Sequence, residues 1–60
     1  MPVVNVNMWE GHNVDYKRKL VQNITEVFVK LGTSKEALSI IITDVPKHNW
    51  GTAGKLASEQ

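Results

Sequence analysis

The chain has no cysteine, almost no net charge and no long apolar segment, and each absence excludes a class of protein. Without cysteine among its 60 residues, it has neither a disulfide nor a thiolate zinc site to stabilise a fold. His12 and His48 are far apart in the sequence, and neither has a second histidine at the spacing of a zinc motif. We therefore predict no metal site. No apolar segment approaches the ~20 residues of a membrane span, so we also predict no membrane partner.

The small net charge argues against a nucleic-acid partner. Seven Lys and Arg residues against six Asp and Glu residues leave a formal charge of +1, and the pI of about 8.1 is below that of a typical nucleic-acid-binding module. The chain does not open with a basic segment followed by an apolar one, so we expect no secretory signal. The sequence thus predicts a cytoplasmic protein.

The length of 60 residues predicts one domain, spanning residues 1–60. A domain of this size buries only about 60% of the surface that its unfolded chain exposes. Domains this small usually need disulfides, a metal ion or a partner for stability. Because the first two are excluded, we expect the chain to associate with further copies of itself.

The polarity pattern predicts a strand followed by a helix. Residues 2–9 alternate in polarity, as a half-buried strand does. One face carries Val4, Val6 and Met8, and the opposite face carries Val3, Asn5, Asn7 and Trp9. From Val14 the apolar spacing changes to the period of a helix, with Asn13 as N-cap and Gly32 as the residue beyond the C-terminus. The apolar stripe of this helix comprises Leu20, Ile24, Val27, Phe28 and Leu31, with Val21 at its edge.

The second half of the chain completes an α/β fold: a single β-α-β unit with parallel strands and a short C-terminal hairpin. Residues 33–36 resemble a capping box for one short helical turn. Residues 38–43 form a β-branched apolar run, which is typical of a parallel strand covered on both faces. Residues 50–55 predict a small glycine-bearing hairpin or loop, and residues 56–60 a loosely held end. Because one helix covers only one face of the sheet, sheet extension and face packing between like chains would cover the rest.

Pro2 is a candidate for acid–base chemistry. If Met1 is removed, as a small second residue normally permits, the chain begins with a secondary amine. An unperturbed α-amino group has a pKa of about 7.7–8.0, which burial or nearby cations lower. Since a general base works best when its pKa lies near the ambient pH, such an amine suits proton transfer, or attack on a carbonyl to form an iminium. An initial Met-Pro pair is common, however, and does not by itself indicate a function.

Several segments together resemble the 4-oxalocrotonate tautomerase family of the tautomerase superfamily. The resemblance is carried by Pro2 and by residues 9–12, 16–21, 40–44, 47–51 and 54–58, in order along the whole chain. It implies a tautomerase-like fold in which β-α-β protomers pair into a four-stranded sheet, and three such dimers form a homohexamer. It also implies an isomerase without a cofactor, a keto–enol tautomerase. In such an enzyme Pro2 is the catalytic general base and moves a proton in an enol/keto or unsaturated oxo acid.

The resemblance carries over unevenly to the substrate-binding positions. Trp50 stands where the family has an aromatic wall, whereas His12 and Ser39 occupy the places of two arginines that bind and polarise the substrate. Arginine binds a carboxylate through two parallel hydrogen bonds, which an imidazole or a hydroxyl cannot reproduce. We therefore predict an altered substrate preference, with weak activity on dicarboxylate dienols and activity on monoacid or neutral enols and enones.

Two other functions stay open at this point. Another proline-dependent reaction of the superfamily, such as hydration, dehalogenation or decarboxylation, would need a water-activating carboxylate, for which Glu10 and Asp44 are the nearest candidates. A non-catalytic subunit of a mixed hexamer would explain the loss of both arginines. In every catalytic case Met1 must be absent, because an acylated Pro2 nitrogen is an amide and not a base.

Overall fold

Two parallel strands and one helix form the body of the chain. The computed structural model describes residues 2–60, so the prediction that Met1 is removed lies outside the described residues. The main elements are β1 (Val3–Trp9), α1 (Val14–Lys30), β2 (Ser39–Val45), β3 (Gly51–Thr52) and β4 (Lys55–Leu56). Short 3₁₀ turns lie at Lys35–Ala37, Lys47–Asn49 and Ala57–Glu59. The predicted β-α-β unit with parallel strands and a short C-terminal hairpin is confirmed.

The sheet of β1 and β2 has one half-buried face and one open face. The strands pair in parallel from Val3 opposite Ser39 to Trp9 opposite Val45. The half-buried face carries Val4, Val6, Met8, Ile40 and Ile42, and the open face carries Val3, Asn5, Asn7, Trp9, Ser39, Ile41 and Thr43. The predicted alternation of β1 is therefore confirmed. The run predicted to be covered on both faces is covered on one face in a single chain, since Ile41 is 51% exposed.

Both ends of α1 are capped by the residues that the sequence predicts. The Asn13 side chain accepts a hydrogen bond from the Tyr16 backbone N–H at 2.8 Å, which satisfies a donor of the first turn. At the other end Gly32 has φ of 100°, a left-handed conformation that glycine adopts without steric cost. The Thr33 N–H then donates to the Phe28 carbonyl at 3.0 Å, completing the hydrogen-bond pattern of a Schellman motif.

The cap at Asn13 supports a stability prediction. We expect Asn13→Ala to lower the free energy of unfolding by about 1 kcal/mol, because the Tyr16 N–H loses its acceptor. Urea denaturation at one fixed protein concentration measures this change. Asn23→Ala is the matched control: Asn23 is exposed in the middle of the helix, where alanine has the higher helix propensity. Equal stability of the two variants would show that the cap contributes nothing.

The half-buried stripe of α1 differs from the predicted one. It consists of Lys17, Leu20, Val21, Ile24, Thr25 and Phe28. Val27 and Leu31, which the sequence assigns to the stripe, are 56% and 78% exposed. Val27 is turned about 100° around the helix axis from Phe28, and Leu31 is the C-cap, where the helix has ended. The prediction is wrong for these two residues, because apolar spacing alone does not fix where the stripe is centred.

Two predictions about the connecting segments have different outcomes. The short turn after α1 forms at Lys35–Ala37, but the predicted capping box does not. That box needs Thr33 as the N-cap, whereas the N-cap is Ser34, whose side chain makes no capping hydrogen bond. The predicted glycine-bearing hairpin is confirmed: β3 and β4 pair antiparallel. They are joined by Ala53 and Gly54, whose φ values of 55° and 79° suit the two central positions of a tight hairpin turn.

The C-terminal segment is held in place, contrary to the prediction of a loose end. The Ala57 N–H donates to the Trp50 carbonyl at 2.7 Å. The Leu56 N–H donates to the Glu59 side chain at 3.0 Å. The Ala57–Trp50 bond joins residues that are close only once the hairpin has formed, so the local sequence pattern did not reveal it, whereas the Leu56–Glu59 bond is local and caps the last turn.

A single chain has almost no core. Within residues 2–60, Ala57 at 9% exposure is the one apolar residue classed as buried. The Cα radius of gyration is 14.4 Å, against about 10 Å for a compact chain of this length. Its extents of 42 × 23 × 14 Å describe a thin plate. The predicted need for association therefore has a structural basis.

In the described residues, no helix is long and apolar enough to span a membrane.

Candidate functional site

The first two candidate residues lie together at the edge of the sheet where β1 and β2 begin. Pro2 immediately precedes β1 and is half-buried, and its carbonyl accepts a hydrogen bond from the Ser39 N–H at 3.1 Å. Ser39 is the first residue of β2 and is exposed on the open face, paired with Val3. The parallel pairing thus fixes the backbone next to Pro2, as precise placement of a reacting group requires.

Trp50 lies at the opposite edge of the sheet, where the strands end. Its ring meets the Trp9 ring edge to face, with centroids 6.0 Å apart and planes at 76°. The Lys47 Nζ lies 4.7 Å from the centroid of the Trp9 ring, within the range of a cation–π interaction. The backbone N–H of Trp50 also donates to the backbone carbonyl of Lys47 at 3.2 Å. We call these three residues the Trp9–Lys47–Trp50 cluster.

His12 follows β1 in the turn before the helix, beside Gly11, whose φ is 118°. The imidazole stacks on the Tyr16 ring, with centroids 4.1 Å apart and planes at 20°. His12 is exposed. Stacking on Tyr16, one helical turn away, orients the ring while leaving its edge open to a ligand.

Most charges on the N-terminal half of the helix are already paired. Lys17 donates to Asp44 at 2.6 Å and ties the helix to β2. Arg18 and Lys19 both pair with Asp15, at 3.3 Å and 3.2 Å. The single arginine of the chain is therefore engaged on the helix surface. No group of three or more metal-ligating side chains occurs among residues 2–60.

The candidate residues of one chain do not form one site. Pro2 and Ser39 lie at one edge of the sheet, and Trp50 lies at the other. The seven-residue β1 separates these edges by about 20 Å, several times the length of a small enol acid. Residues 2–60 of one chain also enclose no cavity. A small substrate cannot contact both edges of the same chain.

Sequence reasoning missed the part played by Trp9 and Lys47. The alternation of β1 indicates only that Trp9 faces outward, and no motif distinguishes Lys47 from the other lysines. A usable signal was present, because Trp9 ends β1 and Lys47 follows the end of β2. Because the carboxyl ends of parallel strands meet at one edge of a sheet, this order along the chain predicts that Trp9 and Lys47 lie near each other.

The chain is similar to proteins of one family. The family model described as tautomerase enzyme matches residues 2–60. The 2-hydroxymuconate tautomerase of Comamonas testosteroni is 35% identical over 60 residues, which are 98% of this chain and 95% of that protein. The crystal structure of YwhB, a homologue of 4-oxalocrotonate tautomerase, matches this chain with a TM-score of 0.93 at 35% identity, and the match covers 98% of both chains. TomN, a 4-oxalocrotonate tautomerase homologue in the tomaymycin biosynthetic pathway, has a TM-score of 0.92 at 27% identity, covering 97% of this chain and 91% of TomN.

These similarities extend over nearly the whole chain and agree with its β-α-β topology. The chain belongs to the tautomerase family, and its fold is that of the 4-oxalocrotonate tautomerases. The family and the fold inferred from the sequence are thereby confirmed. Membership supports an isomerase activity in general terms.

Proposed function

We propose that this chain is a keto–enol tautomerase in which Pro2, with Met1 removed, is the catalytic general base. The substrate is a small enol or unsaturated oxo acid, and no cofactor takes part. The neutral Pro2 nitrogen takes the proton of the enol hydroxyl, whose O–H electrons form the carbonyl. The electrons of the carbon–carbon double bond then take a proton from the Pro2 ammonium. The nitrogen ends in its starting form, so the reaction is an isomerisation.

The family match, which begins at residue 2, is the observation that carries this proposal. The position of Pro2 supports it further, because Pro2 is half-buried at the start of a paired strand. The test is ketonisation of phenylenolpyruvate by protein whose intact mass shows that Met1 is absent, compared with a Pro2 variant.

The active site is assembled from more than one chain in this proposal. Pro2 and Ser39 come from one protomer, and Trp50 and His12 from a neighbour. The separation of about 20 Å along β1 supports this arrangement. The exposed apolar side chains of the open sheet face support it as well, with Ile41 at 51% and Val3 at 54% exposure. The proposed assembly is a homohexamer made of three dimers.

The substrate preference follows from the residues at the two arginine positions. His12 is an exposed, stacked imidazole and Ser39 an exposed hydroxyl, and neither offers the paired donors of a guanidinium. The similar protein from Comamonas testosteroni is named for 2-hydroxymuconate, which has two carboxylates. We propose that this chain instead prefers enols that carry one carboxylate or none. Each charge-assisted hydrogen bond lost would cost about 1.5–3 kcal/mol of binding to the second carboxylate.

Restoring one arginine tests this preference. We expect wild-type kcat/KM on 2-hydroxymuconate to be at least ~10-fold below that on phenylenolpyruvate. His12→Arg is expected to raise kcat/KM on 2-hydroxymuconate by ~10-fold or more, the equivalent of one charge-assisted pair. Asn23→Arg adds the same charge in the middle of the helix, away from the proposed site, and serves as the control. Wild-type activity that is equal on the two substrates contradicts the proposed preference.

The described residues argue against one of the two rival functions more strongly than against the other. For hydration, dehalogenation or decarboxylation, Asp44 is a poor water-activating base because it is held by Lys17 at 2.6 Å, which leaves Glu10. A non-catalytic subunit of a mixed hexamer is favoured by the loss of both arginines. It predicts no activity that depends on Pro2, whereas the leading proposal requires it.

A further inference from the structure

Lys47 lies over the ring of Trp9, next to Trp50. Its Nζ lies 4.7 Å from the centroid of the Trp9 ring. That ring is 6.0 Å from the ring of Trp50, the proposed wall of the active site. Trp9 is 43% exposed in a single chain, so the rest of that chain leaves its outer side uncovered.

The other cations of the chain are less suitable. Lys17 is bound to Asp44, and Arg18 and Lys19 are bound to Asp15. The remaining lysines are Lys30, Lys35, Lys47 and Lys55. Of these, within residues 2–60, Lys47 is the one whose ammonium is positioned over an aromatic ring.

A cation held by a ring face is well prepared to bind an anion. The attraction between the ammonium and the ring quadrupole orients the lysine without occupying its N–H donors in a salt bridge. Restricting the side chain before the ligand arrives reduces the entropy lost on binding. A lysine offers a point charge and not the planar fork of arginine, so it suits one carboxylate and does not impose two-point recognition.

We propose that Lys47 is the carboxylate-binding residue of the active site, with Trp9 and Trp50 contacting the apolar part of the ligand. This inference rests on the proposed function, since it assigns the substrate anion of the same site. It gives a chain without an arginine at either family position a cation for an acid substrate. It also agrees with the proposed preference for monoacids over diacids, because the cluster supplies a single cation.

Tryptophan fluorescence tests the proposal without turnover, because both tryptophans of the chain belong to the cluster. The assembled protein is titrated with cyclohexanecarboxylate and with neutral cyclohexanecarboxamide. We expect a saturable change with the acid and a much weaker one with the amide. Lys47→Gln is expected to raise the Kd for the acid at least ~10-fold, whereas Lys55→Gln and Lys35→Gln leave it unchanged. Lys47→Met, which keeps the apolar stem over Trp9, gives the same loss and replaces the glutamine variant if that variant fails to assemble.

The outcomes separate this inference from the function on which it rests. Pro2→Ala protein is expected to bind cyclohexanecarboxylate as tightly as wild type, so loss of the base leaves the anion site testable. The inference is overturned if Lys47→Gln and Lys47→Met bind the acid as wild type does. It is equally overturned if Lys35→Gln causes the loss of affinity, or if wild-type protein does not distinguish the acid from the amide.

Discussion

Pro2→Ala is expected to lower kcat/KM for the ketonisation of phenylenolpyruvate by at least ~10²-fold, the lower end of the contribution of a positioned general base. Alanine at this position still leaves an amine after removal of Met1. That amine is primary, more strongly solvated and free of the ring that restricts the proline backbone. The loss should therefore appear mainly in kcat. Stopped-flow measurement of the decay of the enol, on protein of verified intact mass, provides the value.

Two comparisons keep this result specific to the amino-terminal nitrogen. Pro46→Ala alters the other proline of the chain, which caps the 3₁₀ turn Lys47–Asn49. Alanine keeps the Pro46 carbonyl that accepts from the Asn49 N–H, so this variant is expected to retain wild-type activity. A variant that keeps Met1 has an acylated Pro2 nitrogen and should be as inactive as Pro2→Ala. Full activity in protein that demonstrably retains Met1 would remove Pro2 as the base.

Ile41→Asp is expected to abolish assembly and, with it, the folded state. Ile41 lies in the middle of the open sheet face, opposite Asn5, and is 51% exposed in a single chain. If neighbouring chains cover this face, each copy of the variant must bury a carboxylate without a partner, at a cost of several kcal/mol per ion. A single chain, in which one residue of 2–60 is buried, cannot offset that cost. Sedimentation velocity should show species of monomer size, and circular dichroism should show loss of helix.

Val14→Asp is the matched control for that experiment. Val14 is even more exposed, at 69%, and it begins the helix, where a carboxylate interacts favourably with the helix dipole. This variant should sediment as wild type does. Wild-type sedimentation of Ile41→Asp as well would mean that the open face is not an interface between chains.

The elements that the sequence predicts best are those decided by neighbouring residues. The caps at Asn13 and Gly32 depend on local hydrogen bonds and backbone conformation, and both occur where predicted. The strand that follows the helix was predicted at residues 38–43 but spans Ser39–Val45. It extends further because Asp44 and Val45 pair with Met8 and Trp9 of β1. The sequence of β2 alone does not reveal this pairing.

The candidate site was harder to predict than the fold, because it depends on distances between segments. The chemistry of Pro2 identified it as a candidate, and the family resemblance identified Trp50. Neither indicated that the length of β1 separates the two residues within one chain. The position of Lys47 over Trp9 depends on the meeting of two strand ends and a 3₁₀ turn. The C-terminal contacts of Ala57 likewise depend on the hairpin and leave no trace in local polarity.

The central claim is that the catalytic site joins Pro2 of one chain to Trp50 of another. Mixing two defective variants tests it most directly: Pro2→Ala and Trp50→Ala are refolded separately and together at equal concentration, and only preparations that sediment as wild type are assayed. If the residues come from different chains, the mixture should regain about a quarter of wild-type activity, because random association restores about one site in four. If both residues act from the same chain, the mixture will be no more active than the two variants assayed apart, and the account of a shared site is contradicted.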